Sequence, residues 1–535
     1  MLFSSLVFLF GFLPLALAGF ALLGRLGRQA GAAWLVAASL VFYGWWEPRF
    51  LPILAASIAF NYAAAMLIRR TAGRPAAQSA VAVAAVAANL LALVYFKYLA
   101  SLVGFLIGTG LPLPAVSPIL LPLGISFFTF TQIGYLLDVR EGVTKATGLL
   151  DYLLFVTFFP HLIAGPILHN REMMPQYADA ATFRIRADNV TIGLAIFTIG
   201  LLKKTVLADP IAAIVPDGFA HPGTLGLYGA WHVALSYSLQ LYFDFSGYSD
   251  MAIGLARMFN VRFPLNFNSP YKAASIIEYW QRWHMSLTRY LTLYLYNPIA
   301  LHVTRRRVAA GLPITRKAYA TLGGFAAMVA WPTLITMGLA GVWHGAGLQF
   351  VVFGLLHGLY LTINHGWRVF RRLPGGRPAP TPWAHARAVA LTYGAVLIAS
   401  VFFRASSCTD ALTLLAGMLG LQGFGPGIAL ALPGPGGAVL EALGILASPG
   451  APAVAVGDTL RRALGLVILY GIVWCAPNTQ QIVRLYAPAL ETVLPWRNGR
   501  PAWQPTPRWA IAIGAGLAIG ILATSGTAEF LYFQF

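Results

Sequence analysis

The chain has 535 residues, 58% of them hydrophobic and only 10% charged, with a mean hydropathy of +0.70. Soluble domains carry about 25% charged residues, so composition excludes an ordinary soluble protein and leaves a polytopic membrane protein. The formal net charge of +19 does not indicate nucleic acid, because the basic residues fall in short clusters between apolar runs, the pattern of the positive-inside rule.

Apolar runs long enough to cross a bilayer predict an all-α chain of roughly 10–13 transmembrane or re-entrant helices, forming one membrane domain over residues 1–535. The first run, Leu2 to Leu23, ends near Ala16-Leu17-Ala18 like a secretory signal. It lacks a basic leader, and Arg25 and Arg28 follow it, so it reads as a retained span with its N-terminus outside. Runs at 30–46, 50–68 and 76–96 follow, split by the loop from Arg69 to Pro75, which those charges place in the cytoplasm. Lys97, flanked by Phe96 and Tyr98, reads as an interface anchor with a snorkelling stem.

The run from Leu121 to Asp138 carries Ser126, Thr129, Thr131 and Gln132, polar groups of the kind that bond helix to helix or line a cavity. Two prolines and a glycine between Phe159 and Pro166 break any regular helix there, and His161 and His169 at its edge read as structural or interfacial. Spans at 188–207 and 227–258 come next. The second holds Asp244, Ser246, Ser249 and Asp250, a stretch too polar to face lipid. Asp244 pairing with an arginine is the simplest account, and orienting a catalytic imidazole is the other.

From Glu278 to Tyr290 a helical reading lets Glu278 pair with Arg282 and puts Trp280, Trp283 and Leu287 on one face, with His284 on the same side. This suggests an interfacial or re-entrant helix. After the basic loop carrying Arg305, Arg306, Arg307 and Lys317, residues 319–366 fit two adjacent spans of roughly 20 residues, separated at Gly341-Val342-Trp343-His344-Gly345. An ionisable side chain there is costly unless it faces a polar passage, which makes His344 the leading functional candidate. The flanking glycines suggest a sharp backbone bend that turns the imidazole toward a channel.

Beyond residue 385, spans are expected at 387–403, 461–477 and 508–524, with a Gly- and Pro-rich, re-entrant or extramembrane stretch at about 420–458. The two cysteines, Cys408 and Cys475, have no metal-ligand spacing, so no metal site and no disulfide are expected.

Read in order, Met1-Leu-Phe-Ser-Ser, Leu121-Pro-Leu-Gly-Ile-Ser-Phe-Phe-Thr-Phe, Phe159-Pro-His-Leu-Ile-Ala-Gly-Pro, Tyr242-Phe-Asp-Phe-Ser-Gly-Tyr-Ser-Asp, Asn268-Ser-Pro-Tyr, Trp280-Gln-Arg-Trp-His-Met-Ser-Leu, Gly341-Val-Trp-His-Gly and Pro477-Asn-Thr resemble the membrane-bound O-acyltransferase family, in its bacterial polysaccharide-acetylating, alginate-type branch. Each motif alone is weak; the ordered set is specific.

The resemblance implies helices around a central funnel or tunnel, His344 as the catalytic histidine and His284 at the second polar position. It implies acetyl-CoA as donor, with Arg305, Arg306, Arg307 and Lys317 as weak candidates for its phosphates and no Gly-rich phosphate loop in support. Trp343, Trp283, Asp244 and Ser286 are expected to line or support the site. His344 would act as the general base, and His284 would position substrate or donate to the oxyanion. The implied setting is the bacterial inner membrane, with a periplasmic acetyltransferase and a polysaccharide-synthesis complex as partners and with no nucleic acid. A relay through Ser246, Ser249 or Ser286 lacks a triad spacing. Within the enzyme reading, cellulose, peptidoglycan and another exopolysaccharide stand beside alginate as acceptors; a proton-coupled carrier or polysaccharide-export component is the rival class, although no internal repeat supports it.

Overall fold

The alternation of apolar runs with loops bearing proline and arginine produces a helical bundle in the computed structural model, which describes residues 1–114, 116–117, 119–144, 147–212, 215–371, 381–424, 456–496, 501–524 and 531. The helices that matter here are α1 (Val7–Leu26), α2 (Arg28–Gly44), α3 (Pro48–Arg70), α4 (Pro75–Lys97), α5 (Ile125–Arg140), α6 (Ala187–Ala212), α7 (Leu227–Met258), α8 (Leu322–His344), α9 (Leu348–Phe370) and α10 (Pro382–Arg404). Among the described residues six of them, α1, α3, α4, α6, α8 and α10, are long and apolar enough to cross a membrane, and no strand is present. Most of the Gly- and Pro-rich stretch, residues 425–455, lies outside the described residues.

Burial sorts these helices into layers. Only 22% of the most apolar window of α4 is covered by protein, against 56% of that of α6, so α4 lies toward the lipid and α6 toward the centre. Every residue of α7 from Ser236 to Met258 is buried. Its polar residues are therefore inside the protein, as the stretch around Asp244 requires.

Two pairs of glycines let α6 and α7 cross closely. A Cβ on Gly193 would lie 2.4 Å from the Gly254 carbonyl oxygen, and one on Gly200 2.7 Å from that of Gly247. Without a hydrophobic force between helices in lipid, such small-residue contacts supply the packing. The same crossing buries Lys204 between Asp209 at 2.7 Å and Asp244 at 2.8 Å. Lys203 reaches Asp250 at 2.6 Å, where Thr479 and Gln480 also donate. Asp244 thus pairs with a lysine rather than the expected arginine, because Lys204 is the cation that the close crossing brings opposite it.

The α8–α9 hairpin is tightened in the same way. A Cβ on Gly341 would lie 2.3 Å from the Phe350 carbonyl oxygen, and one on Gly354 2.2 Å from that of Met337. The expected role for the glycines as bend-formers is corrected: Gly345 has an ordinary extended backbone, φ −168°, but a Cβ there would strike the Phe350 ring at 2.1 Å. They permit close approach, which fixes the height of His344. Gly341→Val is expected to destabilise the protein by about 1–3 kcal/mol through overpacking, read as a fall in the thermal midpoint in detergent; an unchanged midpoint would count against this packing.

Candidate active site

His344 ends α8, is 6% exposed, and borders two cavities. The outer one is lined by Lys97, the irregular segment Leu121 to Gly124, Ser126, Ile163 and Trp343. It holds ≈ 90 Å³, room for a few waters. The inner one, ≈ 20 Å³, is walled by Tyr279, Trp280, Trp283, His284, Phe353, His357 and Phe403. That is space for about one water. The His344 ring meets Phe353 and Phe403 edge-on at 5.8 and 5.0 Å between centroids.

Lys97 is not the expected interface anchor. Its ammonium donates to the carbonyls of Trp343 at 2.6 Å and His344 at 2.9 Å, because the ends of α4 and α8 meet.

The segment around His284 differs from the continuous helix expected. A short helix, Ile276–Trp280, stops, and a second, Met285–Leu291, starts after His284, whose backbone is left-handed at φ 43°, ψ 52°. That conformation is costly for a residue with a Cβ. Asn266, fully buried, holds it: its carbonyl accepts from Met285 N at 2.9 Å, and its side-chain oxygen is 2.9 Å from both His284 Nδ1 and Ser286 Oγ. The Glu278–Arg282 pair survives the break at 2.6 Å.

These contacts set the tautomers. An amide oxygen only accepts, so His284 carries a proton on Nδ1, and in the neutral ring Nε2 is an acceptor. His357 is the reverse: Trp280 Nε1 donates to its Nδ1 at 3.3 Å, which leaves the proton of a neutral ring on Nε2. A neutral His284 therefore does not suit the oxyanion-donor role expected of it, and His357, 1% exposed on the same cavity, has the proton in the right place. Sequence reasoning missed His357, Lys97 and Asn266. An ionisable group inside a predicted span was the available signal for the first.

The remaining expected residues separate. Trp283 lines the inner cavity and Trp343 the outer, so the two tryptophans do not wall one common space. Ser286 lines neither; its hydroxyl donates to Asn266 and accepts from Ile167 N at 3.0 Å, which makes it a support for His284. Asp244 is outside both cavities, tied to Lys204 and to the backbone N–H of Leu531 at 2.8 Å. Arg305, Arg306, Arg307 and Lys317 line neither cavity, and Arg307 is bonded to the Pro313 carbonyl. His161 and His169 are structural, the first on the Phe155 carbonyl at 2.9 Å and the second stacked on Tyr294.

Comparison with known proteins adds an independent line. A family model described as membrane-bound O-acyltransferase matches residues 137–312. The chain is 38% identical over 455 residues to "Peptidoglycan O-acetyltransferase" of Helicobacter pylori, covering 79% of this chain and 80% of that protein. It is 39% identical over 413 residues to "Probable alginate O-acetylase AlgI" of Pseudomonas aeruginosa, covering 76% and 72%. It is also 30% identical over 283 residues to "Teichoic acid D-alanyltransferase" of Bacillus subtilis, covering 51% and 65%.

Proposed function

The chain belongs to the membrane-bound O-acyltransferase family, and on that footing we propose that it moves an acetyl group from a cytoplasmic thioester, acetyl-CoA, across the inner membrane toward O-acetylation of an alginate-like exopolysaccharide. The observation that carries this reading is the position of His344 between two cavities. Arg69, Arg70 and Arg74 stand at the ends of α3 and α4 opposite Lys97, and Arg316 and Lys317 precede the start of α8, opposite His344. By the positive-inside rule those basic ends face the cytoplasm. The outer cavity then opens toward the periplasm and the inner one points toward the cytoplasm.

In this scheme the thioester arrives through the inner cavity and the acceptor hydroxyl through the outer. The His344 imidazole takes the hydroxyl proton as the oxygen attacks the thioester carbonyl. The resulting oxyanion is met by an N–H donor, for which His357 Nε2 is the candidate. The C–S bond breaks, the thiolate receives the proton from His344, and an ester and a thiol leave by opposite sides. A space for about one water does not admit a thioester arm, so the wall of the inner cavity has to open before the donor reaches the ring. A periplasmic acetyltransferase would carry the group onward to the polymer.

Purified protein in sealed vesicles, supplied with labelled acetyl-CoA on one face, is expected to release free thiol and deliver label to an acceptor on the other. Uptake of a solute without thiol release would instead identify a carrier. The names of the relatives make alginate and peptidoglycan the first two acceptors to compare.

A further inference from the structure

The helix that carries His344 has an unusual end. It closes with neither a left-handed glycine nor a side-chain cap of its own, since Gly345 is extended, and the last carbonyls of such a helix need outside partners. They find them on α4. Lys97 Nζ takes the carbonyls of Trp343 and His344, and the Tyr98 hydroxyl donates to that of Val342 at 2.6 Å. Three consecutive carbonyls of the last turn are therefore held by the last residue of α4 and the residue that follows it.

A glycine cap would satisfy the same carbonyls without placing a charge in a partly buried position. Both hydrogen-bond partners of the ammonium are neutral carbonyls, with the negative end of the α8 dipole offsetting part of its charge. Lys97 also lines the outer cavity beside His344, so its cation stands where an acceptor would enter.

We propose that Lys97 is a positioning residue for acyl transfer, its ammonium pinning the last turn of α8 so that the His344 ring stays between the donor and acceptor cavities. The proposal rests on the transfer reading above. A displacement of about 1 Å at a catalytic group costs about 10²-fold in rate, which sets the size of the expected effect.

The test starts from a parent in which Cys408 and Cys475 are replaced by serine, so that Lys97→Cys presents a single thiol. Treating that variant with 2-bromoethylamine rebuilds an ammonium of nearly the lysine's reach. For transfer from labelled acetyl-CoA, Lys97→Cys is expected to lower kcat about 10²-fold with KM nearly unchanged, and aminoethylation to recover about tenfold or more. A kcat per folded molecule equal to the parent's would overturn the proposal and leave Lys97 a plain helix cap. So would a loss that aminoethylation does not restore.

If the cysteine variant does not fold, Lys97→Arg decides. Its longer, planar head keeps the charge but not the two-carbonyl geometry, so kcat should fall about tenfold, and a parental kcat refutes the idea. His344→Ala, assayed in parallel, separates the two levels. Transfer retained in His344→Ala removes the site reading itself, whereas an inactive His344→Ala beside a fully active Lys97→Cys removes only the role of Lys97.

Discussion

Replacing His344 with alanine is expected to lower acetyl transfer about 10²–10⁴-fold, the range that a positioned general base contributes. The expectation follows from the placement of the ring, since among the described residues His344 is the histidine that borders both cavities. On the proposed reading the two substrates meet at that ring, whichever cavity each of them enters. His344→Gln sharpens the test. Glutamine keeps similar bulk and hydrogen-bonding capacity but cannot take up a proton at neutral pH, so it should be as inactive as alanine while the thermal midpoint stays near that of the parent. Labelled acetyl-CoA with purified protein gives the readout, and a His344→Gln variant that transfers acetyl within about threefold of the parent would remove the histidine as base.

The second large effect is on stability and lies away from the chemistry. Lys204→Met is expected to cost about 3–5 kcal/mol, because removing one partner of a buried ionic group leaves charge uncompensated. Here two carboxylates would be stranded, Asp209 at 2.7 Å and Asp244 at 2.8 Å, with side chains 9% and 2% exposed. The consequence should be a sharply lower thermal midpoint in detergent and poor recovery of folded protein. A triple variant, Lys204→Met with Asp209→Asn and Asp244→Asn, should regain much of the loss, since neutral groups of similar shape carry no ionic desolvation penalty. If Lys204→Met alone melts with the parent, the cluster is not the keystone of the α6–α7 crossing that its burial indicates.

Much of this architecture is legible in the residues themselves. Apolar runs about 20 residues long bounded by arginine or proline mark helix ends, and the expected break between residues 319 and 366 falls at Gly345, between α8 and α9. An intramembrane histidine among glycines announces a functional candidate because its burial is expensive. The polar stretch around Asp244 announces a buried helix for the same reason, and α7 is buried throughout that stretch.

What the chain alone could not decide is which distant groups meet. Lys97 and His344 are separated by 247 residues yet are in hydrogen-bond contact, and no local pattern distinguishes a lysine capping another helix from one anchored at the interface. Asn266, from an irregular segment, imposes the left-handed turn at His284 and with it the tautomer, so a helical periodicity argument had to fail there. Helix formation follows from hydrophobic length and local backbone preference, which are properties of contiguous residues. The site instead depends on the register with which whole helices pack, set by glycine contacts such as Gly341 against Gly354, and that register exists only once the bundle has assembled.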